Sequence, residues 1–168
     1  MTHFQLRPAT ESDIPTIFSF IMQLADYERL KHEVVATEAR LRETLFGETR
    51  YAEVIFAVVD DQPVGFALYF HNYSTFLAKP GLYLEDLFVV PSHRGKGLGK
   101  ALLAALAQIA VERDCGRLDW NVLDWNQPAI DFYTAIGAVA VSEWNTFRMT
   151  GDALETLASS SGVVGTPQ

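Results

Sequence analysis

The sequence predicts a single α/β domain built around a meander of antiparallel strands, and three observations predict it. Two β-prone runs, residues 52–59 and 64–70, are joined by the short polar stretch Asp60-Asp61-Gln62-Pro63, the pattern of a hairpin. A third run, residues 82–90, stops at Pro91 and passes into a basic, glycine-rich turn, Arg94-Gly95-Lys96-Gly97-Leu98-Gly99-Lys100. A long helix opens immediately after it, with Leu98, Leu102, Ala105, Leu106, Ile109 and Ala110 at helical spacing.

The remaining elements follow in chain order. Residues 4–7 alternate weakly and end at Pro8, a short strand. Thr10-Glu11-Ser12-Asp13 has the spacing of a capping box, and Pro15 is tolerated in a first helical turn. Ile14, Ile17, Phe18, Ile21, Leu24 and Ala25 share one face of the helix that follows. Thr37 opens a second, shorter helix carrying Leu41 and Leu45 and ending at Gly47. The polar stretch Asp26-Tyr27-Glu28-Arg29 lies between these helices, at a helix-to-loop junction. Residues 71–80, rich in aromatics, are expected to be a loop. Cys115-Gly116 closes the long helix, and residues 118–123 make another strand. Asn126 is a good N-cap with Pro128 just inside a short helix, and Ala129, Ile130 and Tyr133 share a face of it. Gly137 stands where a left-handed C-terminal residue belongs. Residues 138–141 and 145–149 are expected as two closing strands. The domain should span residues 1–158, with 159–168 a small, polar, disordered tail.

Composition narrows the function classes. A length of 168 residues fits one domain with a substantial core. The formal charge of −8 argues against nucleic acid as a partner, which needs clustered Lys and Arg, and is compatible with a cationic substrate. The longest apolar runs, such as 54–59, are too short to span a bilayer, and nothing at the N-terminus reads as a signal peptide. No membrane partner is expected, and cytoplasmic residence is the default. The single cysteine, Cys115, excludes an internal disulfide and a multi-cysteine metal site, and it is expected to be inert. His3, His32, His71 and His93 lack metal-ligand spacing, so no metal is expected.

Strand, glycine-rich turn and helix start is the arrangement that presents backbone N–H groups and a positive helix end to a phosphate. Two familiar phosphate signatures fail. The P-loop needs Gly, four residues, then Gly-Lys-Ser/Thr; here Ala101 follows Gly99-Lys100, and Arg94 stands five before Gly99. The dinucleotide fingerprint needs a third glycine where Lys100 stands, and antiparallel strands precede this turn. What fits is Arg94-x-x-Gly97-x-Gly99, followed by Asn126-x-x-Ala129-x-x-Phe132-Tyr133 and Gly137-Ala138.

In that order and spacing, over about residues 4–150, these motifs resemble the GNAT superfamily of N-acetyltransferases and its acyl-CoA pyrophosphate loop. Arg7-Pro8-Ala9-Thr10 with Asp13, Leu24-Ala25 with Tyr27-Glu28, Phe46-Gly47-Glu48, Tyr83-Leu84-Glu85-Asp86 and Trp125-Asn126 are similar to its diamine (spermidine/spermine) branch, which includes thialysine-acetylating enzymes. The chain differs from that branch at Phe76, where tryptophan is common, and after Gly137, where Glu143 stands in place of a more acidic pattern. The resemblance implies a mixed, mostly antiparallel central sheet flanked by helices and splayed at the acyl-CoA site. It implies a homodimer that acetylates a primary amine of a small cationic acceptor (a polyamine, a diamine or a thialysine-like amino acid). Acetyl-CoA is the implied donor, and the implied route is direct attack in a ternary complex.

Such a reaction needs a deprotonated amine, a stabilised oxyanion and a protonated leaving thiolate. Backbone N–H groups of Gly95, Lys96, Gly97, Gly99 and Lys100 can bind the pyrophosphate, since glycines let the backbone approach closely; Arg94 and Leu98 complete the loop. By resemblance, the main chain of Leu87, Phe88 and Val89 is left to the pantetheine arm, and the Val89 N–H polarises the thioester carbonyl. A fully paired strand would be equally apolar, so periodicity leaves both readings open. Asn126 and Ala129 are implied cofactor contacts, although a helix cap also explains Asn126. Tyr133 is the implied general acid, a phenol's intrinsic pKa of about 10 suiting donation to a thiolate; a core tyrosine is the plain alternative.

Glu85 is the implied proton acceptor, through water, and a partner for the substrate ammonium. Alternation puts Glu85 and Asp86 on opposite faces of the strand, so one faces the acceptor groove. The resemblance places Glu85 there and leaves Asp86 to structural hydrogen bonds. Tyr27 and Glu28 match amine-binding positions, where an aromatic face and a carboxylate suit an ammonium. Asp119, Trp120, Asn121 and Glu143 are further candidates for the same groove. Two other readings stay open: a protein N-terminus or lysine as acceptor, and a catalytically silent acyl-CoA-binding module.

Overall fold

A computed structural model describes residues 3–160, and the chain divides between Asn121 and Val122 into two compact units. In the first, the alternating and apolar runs become a five-stranded sheet with strand order β1-β2-β3-β4-β5. The strands are β1 (Gln5–Pro8), β2 (Glu53–Val59), β3 (Gln62–Ser74), β4 (Lys79–Val89) and β5 (Leu118–Trp120). The first four are antiparallel neighbours, and β5 runs parallel to β4. Three α-helices belong to this unit among its described residues: α1 (Ile14–Tyr27), α2 (Glu38–Phe46) and α3 (Leu98–Glu112). The predicted mixed, mostly antiparallel sheet with flanking helices is what forms.

The two faces of the sheet bury different sets of residues. On one, Ile17 and Phe20 of α1 and Leu45 of α2 cluster with Val54, Phe56, Phe66, Leu68 and Phe88. The Phe20 ring centroid lies 5.6 Å from Phe66 and 5.5 Å from Phe88. α3 buries Leu98, Leu102, Leu103, Leu106 and Ala110, a stripe at helical spacing. Its end is tied to the other face of the sheet by Arg113, which donates to Glu53 at 2.9 Å and lies over the Tyr69 ring. That guanidinium holds the Glu53 carboxyl below its usual range, while burial pushes the Tyr69 hydroxyl up to about 12.

The first strand is locked to α1 by the predicted capping residues. Arg7 donates two hydrogen bonds of 2.8 Å to Asp13, which also accepts from the Thr10 N–H at 2.8 Å. The guanidinium hydrogen bonds push the Asp13 carboxyl down to about 2. Asp13→Asn should therefore lower stability by about 1 kcal/mol at neutral pH, a value discounted for the partly exposed Arg7. A depressed carboxyl stabilises above its unfolded pKa, so the deficit should fade as pH falls from 3.8 towards 2 in urea-unfolding curves.

Three expectations need correction in this unit. The β2–β3 turn is tighter than predicted: Val59 pairs with Gln62, and Asp60 and Asp61 take positive φ of 48° and 60°, the two-residue hairpin that aspartate tolerates. Residues 71–74, expected in a loop, continue β3 because its aromatic run finds cross-strand partners; the Phe70 and Tyr83 ring centroids are 5.1 Å apart. The connection shrinks to residues 75–78. Strand β5 stops at Trp120, short of residue 123.

Among its described residues, the second unit holds two helices, α4 (Gln127–Ala135) and α5 (Gly151–Ser160). The strands expected at 138–141 and 145–149 do not form. β-propensity is realised only against a paired edge, and among the described residues this stretch has none; Val139, Val141, Trp144 and Phe147 stand exposed. α5 was not anticipated, although Ala153, Leu154, Glu155 and Leu157 are strong helix formers. Ser159 and Ser160, expected to begin the tail, end this helix; residues 161–168 lie outside the described ones.

Candidate active site

Strand β4 has two different halves. Up to Leu84 it lies between partners, with Leu84 opposite Tyr69 of β3 and Trp120 of β5. Beyond Leu84 the pairing with β5 ends, while pairing with β3 continues to Val89 opposite Gly65. The register shifts between these halves: Leu84 faces Tyr69, Asp86 faces Leu68, and Glu85 is the extra residue of a bulge. At the far end the Val90 N–H donates to Val64 O at 2.9 Å. Alternation from that bond turns the main-chain groups of Asp86 and Phe88 towards β3, and those of Leu87 and Val89 towards the side where β5 no longer pairs. Of the predicted trio, Leu87 and Val89 thus present backbone to the splay, while the Phe88 ring is 3% exposed in the core. Gly65 keeps this end of the ladder close, since a Cβ there would stand 2.8 Å from Phe88 O.

The glycine-rich turn continues directly from that open edge. Gly95 and Gly97 take φ of 73° and 85°, a left-handed region that penalises any side chain. A Cβ placed on Gly95, Gly97 or Gly99 would have no heavy atom within 4 Å, so the loop presents bare backbone to open space. Gly97 is the N-cap of α3, and the first intrahelical bond runs from Ala101 N–H to Gly97 O at 3.0 Å. The N–H groups of Leu98, Gly99 and Lys100 precede that ladder at the positive end of a 15-residue helix. Leu98 anchors the turn with its side chain buried, while Lys96 and Lys100 are exposed. Bare amides, a helix N-terminus and two lysines suit a pyrophosphate.

The acceptor-side residues are rearranged by the bulge. Simple alternation does not hold across Glu85: Asp86 shares the face of Leu68 and Phe88, towards α1, while Glu85 is exposed. Beside that apolar cluster the Asp86 carboxyl is pushed up to about 7, chiefly by burial, with Glu85 and Glu28 adding negative charge. Glu28, just after α1, is itself raised by burial. Tyr27 is 40% exposed, with the Arg94 guanidinium 4.9 Å from its ring centroid. The structure therefore assembles Tyr27, Glu28, Glu85 and Asp86 alongside the loop's Arg94. Asp86 is the member that sequence reasoning set aside; two successive carboxylates in an apolar strand were the available signal.

Asp119 is differently engaged. It accepts from Arg117 at 2.8 Å, and Asn72 of β3 reaches it at 3.3 Å across Gly81, whose missing side chain leaves room. Its charge is thus taken up locally. Trp120 pairs with Leu84, and Asn121 is exposed just beyond β5.

In the second unit α4 has its predicted ends. Asn126 occupies the N-cap position, its carbonyl accepting from the Ala129 and Ile130 N–H groups at 3.1 Å, although its side chain makes no capping bond. Gly137, φ 95°, closes the helix as Ala138 N–H donates to Tyr133 O at 3.0 Å. Tyr133 is half-buried, its ring centroid 5.4 Å from that of Phe132. Glu143 is exposed in the stretch without regular structure.

Comparison with known proteins agrees with this architecture. The profile of the Acetyltransferase (GNAT) family matches residues 20–138. Thialysine N-epsilon-acetyltransferase of Bos taurus is 37% identical over 169 aligned positions, covering 94% of this chain and 99% of that protein. L-ornithine N5-acetyltransferase of Arabidopsis thaliana is 35% identical, covering 91% of this chain and 87% of that one. Among solved structures, an integron cassette protein from the mobile metagenome of V. cholerae superposes with a TM-score of 0.79 at 32% identity, covering 95% of this chain and 99% of the other. A bulged β4 that leaves β5 after Leu84 and a glycine-capped α3 thus occur in a chain that belongs to the GNAT acetyltransferase family and is an acyltransferase.

Proposed function

We propose that the protein transfers an acetyl group from acetyl-CoA to a primary amine of a small cationic acceptor, a polyamine, a diamine or a thialysine-like amino acid, by direct attack in a ternary complex. The observation that carries this reading is the edge of β4, which opens at Leu87 and Val89 and leads straight into the loop capping α3. Acetyl-CoA, when bound, supplies an activated acyl thioester; the rest is the work of this chain. The N–H groups of Gly95, Lys96, Gly97, Gly99 and Lys100 hold the pyrophosphate, with Arg94 and Leu98 fixing the loop. The backbone of Leu87 and Val89 orients the pantetheine arm as a neighbouring strand would, with Phe88 as the buried support behind it. The Val89 N–H stabilises charge developing on the carbonyl oxygen. Asn126 and Ala129 of α4 contact the cofactor, and Tyr133 gives a proton to the departing sulfur.

On the acceptor side, Tyr27, Glu28 and Glu85 draw in the ammonium, and Asp86 accepts its proton through water. A carboxyl near 7 is matched to that task at neutral pH. Two relatives carry names of primary-amine acceptors, thialysine and L-ornithine, which supports a small amine over a protein chain. The branch resemblance also supports a homodimer, which light scattering would report as twice the chain mass. Thiol release should be followed across thialysine, L-ornithine, lysine, spermidine, spermine, putrescine and short peptides. Release with one or more of the small amines is expected. Release with peptides alone would replace them by a protein acceptor.

Gly97→Val tests the donor loop. The φ of 85° is strained for a β-branched residue by about 1–3 kcal/mol, and its methyls would enter the space the loop keeps open. Coenzyme A affinity in calorimetry should fall by about a hundredfold, with the melting profile little changed. Retained tight binding would remove the pyrophosphate from this loop.

A further inference from the structure

Arg94 opens the glycine-rich motif, yet its side chain is turned back towards the protein. Its Nε donates to the Val89 carbonyl at 2.9 Å, on the side of β4 where pairing with β5 has ended. The same guanidinium lies 4.9 Å from the ring centroid of Tyr27 and 5.7 Å from that of Phe88. One planar cation thus touches three parts of the site: the last peptide of the open strand, the core aromatic behind it, and the aromatic at the end of α1 beside Glu28. A lysine could not reproduce this, because the contacts use a fixed donor on a flat, stackable group.

We infer that Arg94 is a positioning residue that couples the donor loop to the acceptor residue Tyr27, so that either half of the site sets the geometry of the other. This rests on the acyl-CoA reading above and adds to it. Through Nε, Arg94 fixes the Val89 carbonyl, which points to the same side of β4 as the Val89 N–H. Through the ring contact, it ties the end of α1, and with it Glu28, to the first residue of the phosphate loop. Coupling of this kind is reciprocal: what steadies the loop steadies Tyr27, and the reverse.

The test reads coenzyme A affinity, by calorimetry, in variants of a residue outside the loop. Tyr27→Leu should weaken coenzyme A binding about three- to tenfold, the worth of a partly exposed cation–π contact, and Tyr27→Phe should restore it. Arg94→Lys should show a similar loss, and adding Tyr27→Leu to Arg94→Lys should weaken binding no further. In turnover with the best amine of the panel, Arg94→Lys should also raise the acceptor KM more than it lowers kcat. Coenzyme A affinity unchanged in Tyr27→Leu, or strictly additive losses in the double variant, would overturn the coupling while leaving the acyl-CoA loop intact. Absence of coenzyme A binding by the unmodified protein would instead sink the acyl-CoA reading itself. Because Tyr27 and Arg94 are both exposed, thermal melts should confirm that all these variants fold.

Discussion

Asp86→Asn should lower kcat by about two to three orders of magnitude and abolish a rise in rate centred near pH 7. The reasoning starts from position. The bulge at Glu85 turns Asp86 towards the α1 face, beside the cluster of Phe20, Phe66 and Phe88, with Glu28 and Glu85 as its charged neighbours. Burial and two like charges favour the neutral form and lift the carboxyl to about 7. Only the carboxylate can accept a proton, so kcat should climb as pH passes through 7 and then level. An amide cannot accept that proton, so the variant should lack this limb. Stability should move the other way. A raised carboxyl favours the native state below its unfolded pKa and loses that advantage as pH rises through its native value. The Asn variant should therefore match the parent near pH 4 and exceed it at pH 8 by a few kcal/mol at most, in urea unfolding. Glu85→Gln, at an exposed position, should act chiefly on the acceptor KM. If Glu85→Gln lost the pH 7 limb and Asp86→Asn kept it, the two roles would be exchanged.

That pair of residues also shows where sequence reading stops. Strand, turn and helix around 82–112 were legible because each is set by local chemistry: apolar alternation, positive-φ glycines and a 3.6-residue stripe. The Thr10–Asp13 capping box and the Thr37 helix start were legible for the same reason, since the partners lie three residues apart. A bulge is different. It depends on the register that β3 imposes from across the sheet, and the residues 84–87 carry no mark of it. One extra residue was enough to turn Asp86 to the α1 face while Glu85 stayed exposed. The 138–149 stretch failed for a related reason: valine, tryptophan and phenylalanine at strand-like spacing express a propensity, whereas a strand requires a partner edge that the sequence does not name. The opening of β4 was expected from family resemblance alone, and its apolar residues would have suited a closed ladder equally well.

Tyr133→Phe should lower kcat by about two to four orders of magnitude while leaving coenzyme A affinity within a few-fold of the parent. The substitution removes one hydroxyl and keeps the ring, so the contact with Phe132 at 5.4 Å and the closure of α4 through Ala138 N–H to Tyr133 O are retained. On the mechanism proposed above, what is lost is a proton donor for the departing thiolate. A phenol is ordinarily neutral at physiological pH, its usual pKa being about 10, and is the kind of group that can give up a proton as negative charge builds on sulfur. Loss of turnover together with loss of coenzyme A affinity would instead make Tyr133 a binding residue. Unchanged turnover would remove it from the chemistry altogether, and the proton for the thiolate would have to come from solvent.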